Sequence, residues 1–194
     1  MAVGLFAVGL VALLGLFAPV TKSVANVADT EAAAFVADAV RARVQAIAAR
    51  DFAAAEQLIQ DAAAVQQNDA SGTYNPNDGV RHPAVIFAKL GGEIGIYDGR
   101  RTVRGWYDAA NPPAVVADAD KFFEVELIRN DTLSPKAADE TAVLVVYTLR
   151  VRWPSFTPAA GGAAVQVGAN PGGGAVTFDH SAKQTLFFTG AITR

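Results

Sequence analysis

The sequence contains no cysteine and only two histidines, His82 and His180. Without thiols there is no disulfide framework, no thiolate metal site and no cysteine nucleophile, and two imidazoles leave little material for a zinc centre. Charge is scarce as well. Asp, Glu, Lys and Arg make up 18% of the 194 residues, and 16 basic against 19 acidic side chains give a net charge of −3. That balance provides no electrostatic footprint for nucleic acid or an anionic lipid surface, so no nucleic-acid partner is expected. What is abundant is apolar: 52% of residues are hydrophobic and the mean hydropathy is +0.24. A chain of this composition buries too much to be intrinsically disordered.

The apolarity is concentrated at the start. MAVGLFAVGLVALLGLFAPV, residues 1–20, carries no charge, and the first charged side chain is Lys22. About 20 residues at ~1.5 Å each span ~30 Å, the thickness of a bilayer's hydrocarbon core. A cleaved signal peptide fits poorly, because no Lys or Arg precedes the run and Ala18-Pro19-Val20 is a poor cleavage site. A membrane anchor is a second reading. It conflicts with the basic residues Lys22, Arg41, Arg43 and Arg50, which all follow the run and would hold the rest of the chain in the cytoplasm. The third reading is a helix that packs against copies of itself. Gly4, Gly9 and Gly15, with Ala2, Ala7, Ala12 and Ala18, give small faces that let helices approach closely. Leu5, Phe6, Leu10, Leu13 and Phe17 supply the bulk between them. Pro19 lacks a backbone donor and is expected to break or kink the helix.

The chain passes into a second helical pattern without a linker. TEAAAFVADAVRARVQAIAAR is alanine-rich and free of Gly and Pro, hence strongly helical. Val36, Val40, Val44 and Ile47 draw one apolar stripe, Thr30 is a candidate N-cap, and Arg41, Arg43 and Arg50 read as a solvated face. Asp51 is placed to cap a further helix from Phe52 to about Gln67, with a stripe of Phe52, Ala55, Ile59, Ala62 and Val65. NDASGTYNPNDGVRHP, residues 68–83, reads as a loop.

Beyond it the patterns are strand-like. Ala84–Leu90, Glu93–Tyr97, Thr102–Tyr107 and Phe122–Arg129 are expected strands, with Phe123, Val125 and Leu127 on one face of the last. The longest is Ala142–Trp153, with Val143, Val145, Tyr147, Leu149, Val151 and Trp153 on one face and Thr148, Arg150 and Arg152 on the other. Pro154 ends it. AAVQV and AVTFD flank GANPGGG as an expected hairpin, and Gln184–Thr193 closes the chain as a strand. Helices followed by a run of strands indicate an α+β fold. The expected organisation is residues 1–50 as an assembly or membrane helix, 51–79 as second helix and loop, and 80–194 as an antiparallel β domain.

No catalytic constellation emerges, and no enzyme activity, cofactor or metal is expected. Asp179-His180-Ser181 holds the letters of a hydrolase triad, but neighbours in an extended chain point to opposite faces. His82 has no second ligand at metal spacing, and Gly172-Gly173-Gly174 lacks the Lys and Ser/Thr of a phosphate loop. Glu124 and Glu126 share a strand face. Such a pair can serve acid–base chemistry, but reads more simply as the wet face of a sheet. Trp106, Tyr107 and Trp153 read as core, and Asn130-Asp131-Thr132 matches the N-glycosylation pattern.

An apolar N-terminal helix running straight into an amphipathic one and followed by an antiparallel sheet resembles the type IV pilin-like superfamily, which includes pilins and the pseudopilins of type II secretion. The likeness spans the whole chain in architecture and is densest in residues 1–47. Met1–Pro19 is similar to the family's apolar run without its opening, and Gly15 and Pro19 occupy the region where such helices unwind in filaments. Leu149-Arg150-Val151-Arg152-Trp153-Pro154 and Gln184–Arg194 are similar to the family's final strands. The resemblance implies a structural subunit of a cell-surface or extracellular filament. Its partners would be copies of itself, the inner membrane before assembly, and pilus or secretion machinery. The packing residues would be Gly4, Leu5, Phe6, Gly9, Leu10, Ala12, Leu13, Gly15 and Phe17, with the helix break at Pro19. The alternative is a single-pass, N-terminally anchored protein with an extracytoplasmic β-rich binding domain.

Overall fold

An alanine-rich stretch with no β-branched cluster and no glycine after Gly15 has little reason to leave the helical basin. In the computed structural model it does not. Helix α1 runs unbroken over Ala2–Ala48. The structure describes residues 2–59, 73–74, 86–90, 94–97, 120–134, 143–158, 164–172, 175–178 and 181–194. The side chains of residues 2–19 lie outside that description, and with them the expected packing residues Gly4 to Phe17. Among the described residues no helix is long and apolar enough to cross a membrane.

Two expectations about this helix are corrected. The backbone stays helical through Pro19 rather than breaking there: proline forfeits one i→i−4 bond, and the turns on either side hold the register. Thr30 caps nothing, because the helix is already under way, and its hydroxyl donates to the Asn26 carbonyl at 2.7 Å. The helix does end where expected. Arg50 and Asp51 N–H groups both reach back to the Ile47 carbonyl, and Asp51 is extended (φ −150°, ψ 95°) and accepts from the Ala54 N–H at 3.0 Å. Asp51 thus caps α2, Phe52–Leu58. That helix is shorter than its apolar stripe suggests, because Ile59 is extended (φ −94°, ψ 121°). Ala62 and Val65 fall outside the described residues.

Ten strands follow among the described residues: β1 Thr73–Tyr74, β2 Ile86–Ala88, β3 Ile94–Tyr97, β4 Phe123–Arg129, β5 Leu144–Trp153, β6 Phe156–Pro158, β7 Ala164–Gln166, β8 Ala169–Gly172, β9 Ala175–Phe178 and β10 Gln184–Thr193. The principal sheet has the order β10-β5-β4-β2-β3, antiparallel throughout. Thr102–Tyr107 falls outside the described residues. The 68–83 stretch is not all loop: Thr73 and Tyr74 pair with Thr177 and Val176. The expected hairpin around GANPGGG is also redrawn. β7 pairs with β6, while Ala169–Gly172 becomes a strand against β9. Among the described residues β8 pairs with β9 alone, Pro171 lying opposite Val176.

Period-two alternation sorts the sheet's faces. Phe123, Val125 and Leu127 of β4 and Val145, Tyr147, Leu149, Val151 and Trp153 of β5 are buried against Val36, Val40, Val44 and Ile47 of α1. Each such side chain contributes about 1.5–3 kcal/mol by leaving water. Val143 does not join them. It precedes the strand and is 63% exposed. At β10, Gly190 faces Tyr147, and a Cβ there would lie 2.5 Å from the ring's Cζ, so only glycine admits the aromatic ring across the strand pair.

Candidate functional site

Two features stand apart from ordinary packing: a buried ion network on the sheet's second face and an uncovered apolar stripe on α1.

The network begins with register. Glu124 lies opposite Arg152 and Glu126 opposite Arg150, so Glu-x-Glu on one strand meets Arg-x-Arg on the next. Arg152 Nε sits 2.6 Å from Glu124 Oε1, and its terminal nitrogen 3.0 Å from Glu126 Oε2. Arg150 reaches the same Glu126 oxygen at 2.6 Å. Lys183, just before β10, brings Nζ to 2.7 Å from Glu124 Oε2, and Ser155 Oγ donates to that oxygen at 3.2 Å. Burial pushes the Lys183 ammonium below its usual value, and the Glu124 carboxylate pulls it back up.

The expected wet face at Glu124 and Glu126 is therefore corrected: both carboxylates are buried. The β6–β7 ribbon is tied to the sheet nearby, the Ser155 N–H donating to the Phe122 carbonyl and the Val167 N–H to the Ser155 carbonyl. It brings Phe156 edge-on to Phe87 at 5.9 Å, with Lys121 Nζ 4.9 Å from the Phe87 ring centroid. The oxygens of the two carboxylates are held by two guanidiniums, an ammonium and a hydroxyl. Their arrangement joins β4, β5, the start of β6 and the start of β10 into one clamp. Lys183 and Ser155 carried no sequence signal; the alternating Glu and Arg pairs on successive strands did.

The second feature is on α1. Val20, Val24, Val27 and Phe35 are 56%, 63%, 56% and 61% exposed. At 100° per residue these positions fall within a quarter of the helix circumference, on the side opposite the buried Val36, Val40 and Val44. Residues 20–31 are exposed all round apart from the half-buried Asp29. The sheet's edge strand meets the helix at Asn26, whose Oδ1 is 3.5 Å from Gln184 Nε2. Val20, Val24, Val27 and Phe35 thus form an exposed apolar stripe on one helical side.

The remaining sequence candidates are placed as follows. Trp153 packs in the core, its ring 5.8 Å from Phe123. Arg41 pairs with Asp38 at 2.6 Å, and Arg50 Nε donates to the Ala46 carbonyl at 3.3 Å. Asn130 turns its side chain to the backbone, Oδ1 accepting from the Thr132 and Leu133 N–H groups. His82, Trp106, Tyr107, Gly173, Gly174, Asp179 and His180 lie outside the described residues. Among the described residues no three His, Asp or Glu side chains converge as a metal ion requires. No protein-family model, curated protein or solved structure matches the chain.

Proposed function

We propose that this chain is a structural subunit of a type IV pilin-like filament at the cell surface or outside the cell, polymerising through α1. The observation that carries the reading is the division of one unbroken helix into two environments. From Ala33 onward one side is buried on the sheet, whereas Val20, Val24 and Val27 stand in solvent and continue into the apolar sequence of residues 1–19. A helix with that composition is unstable in water, and at about 25 cal/mol per Å² even partial burial against copies of itself is worth many kcal/mol. Identical subunits related by a screw operation meet through unlike patches and grow into open filaments. The sheet domain, locked by its ion network, would face solvent. In this role the chain needs no cofactor and performs no catalysis; its partners are copies of itself, the inner membrane before assembly, and an assembly machine.

Purification without detergent, followed by negative-stain imaging, tests this. A filament subunit is recovered as fibres, whereas a monomer recovered only in detergent from membrane fractions indicates an anchored β-rich binding domain instead. Within the filament reading, Gly9→Leu or Ala12→Trp blocks assembly while the β domain still folds. Fibres that form normally with either change contradict packing through that part of α1.

A further inference from the structure

We propose that Asn130 is a glycosylation site, its side-chain amide taking an oligosaccharide from a polyprenyl diphosphate donor, and that the glycan covers an apolar margin at that end of the sheet. Of the chain's asparagines only Asn130 is followed two places on by Ser or Thr, and the residue between them, Asp131, is not the proline that forbids transfer. The triplet is at the surface: Asp131 and Thr132 are exposed and Asn130 is half-buried. The turn sorts the two ends of the amide. Asn130 Oδ1 accepts from the Thr132 N–H at 3.1 Å and the Leu133 N–H at 3.0 Å, so the oxygen is turned to the backbone. Among the described residues nothing bonds Nδ2, the atom that takes the sugar, or the Thr132 hydroxyl that the pattern requires. In the transfer Nδ2 attacks the anomeric carbon of the donor. The new C–N bond replaces the C–O bond to the carrier, whose diphosphate leaves with the electron pair, and the amide gives up one proton to a base of the transferase.

Position favours the site as well. The turn is braced: the Asn130 N–H donates to the Val146 carbonyl at 2.9 Å, the Ser134 N–H to the Asn130 carbonyl at 2.8 Å, and Arg129 Nε to the Ser134 carbonyl at 2.9 Å. It lies beside α2, where Arg129 pairs with Glu56 at 2.9 Å. On the ladder Arg129 is opposite Tyr147 and Tyr147 opposite Gly190, whereas α1 meets β10 through Asn26 at Gln184. Six residues at ~3.3 Å each set those two levels roughly 20 Å apart, and the part of α1 before Asn26 continues away from the turn. A glycan here leaves the apolar start of α1 clear. An independent observation says what it would cover. Leu133 and Val143 are each 63% exposed and Leu144 is 46% exposed, all at this end of the sheet, where Val146 bonds both Asn130 and Ser134. Bare, such a margin promotes association; under a sugar chain it does not. The proposal rests on the filament reading only in placing the sheet domain outside the cytoplasm, where it meets the donor.

Peptide mass spectrometry tests the site. Trypsin cuts after Arg129 and Lys136, so the triplet falls in the short peptide 130–136. In chain recovered from the surface or medium of the cells that make it natively, this peptide should be heavier by a whole number of sugar residues, with the added mass on Asn130, and enzymatic release of the glycan should leave aspartate at 130. Thr132→Ala should lose the added mass and Thr132→Ser should keep it, both without loss of fold, because Thr132 is exposed and its turn bond comes from the backbone N–H. Releasing the glycan should increase self-association of the chain, and Leu133→Ser should reverse that increase; no increase overturns the covering role. Peptide 130–136 without added mass in the extracellular chain, or a modification that persists in Thr132→Ala, overturns the site and leaves the filament reading standing. A chain found only in the cytoplasm removes the filament reading, and this site with it.

Discussion

Glu124 is the hinge of the ion network, and Glu124→Gln is the substitution that isolates its charge without changing its shape. Its two oxygens meet Arg152 Nε at 2.6 Å, Lys183 Nζ at 2.7 Å and Ser155 Oγ at 3.2 Å, all in buried surroundings. The amide keeps the volume but leaves three cations facing the single carboxylate of Glu126. Breaking one partner of a buried pair costs about 3–5 kcal/mol, because the orphaned charge stays out of water. At a urea slope of about 2 kcal/mol per M, the unfolding midpoint falls by about 1.5–2.5 M, which the fluorescence of the buried Trp153 can follow in mild detergent. The loss depends on pH. Burial already holds Lys183 below its ordinary value of 10.5, and Glu124 is the largest influence restoring it. In the variant Lys183 sheds its proton still earlier. Between that lowered value and 10.5 the unfolded chain binds more protons than the folded one, so the variant's stability rises with pH across this window. Glu124→Leu combined with Lys183→Met removes both charges and should cost far less than Glu124→Gln alone. A Gln variant within about 1 kcal/mol of the parent at pH 7, or one whose deficit does not shrink as pH rises, would refute the idea that charge pairing holds this face together.

Gly190→Ala places a Cβ within 2.5 Å of the Tyr147 ring and should destabilise by about 1–3 kcal/mol; adding Tyr147→Leu should recover part of the loss, read as a double-mutant coupling in urea. Among the described residues the buried Tyr147 hydroxyl has no hydrogen-bond partner, and burial pushes its pKa from 10.0 up to about 12. The folded state therefore keeps a proton that the unfolded state loses, and stability should fall as pH rises from 10 to 12, by at most about 2.7 kcal/mol. Tyr147→Phe should abolish that alkaline loss and be neutral or slightly stabilising at pH 7. Asp51→Ala removes the cap of α2 and should cost about 1 kcal/mol in thermal or urea unfolding.

The parts of the fold that were legible in the sequence are those governed by local periodicity. The stripe Val36, Val40, Val44 and Ile47, the cap at Asp51, and the buried faces of β4 and β5 follow from spacing alone. The misread parts depend on what lies across space. Glu124 and Glu126 alternate with apolar residues as an exposed face would. Their burial goes with Arg150, Arg152, Lys183 and Ser155, which close in from β5 and from the residues just before β6 and β10, the last two without a local pattern to announce them. β8 was illegible for a similar reason, since Asn170-Pro171-Gly172 has turn chemistry and is extended only because β9 pairs with it. On α1 the sequence showed the apolar run, whereas the stripe from Val20 to Phe35 became visible once the sheet was seen to cover the opposite side and to leave residues 20–31 exposed.

Polymerisation through α1, as proposed, is tested by the mass distribution and electron-microscopic appearance of the unaltered protein after detergent is removed. The expected result is fibres of uniform width with the sheet domains outside and the helices packed at the axis, where a Val24→Cys spin label becomes immobile on assembly. A monodisperse monomer that remains in solution without detergent, its label at position 24 still freely tumbling, would contradict it.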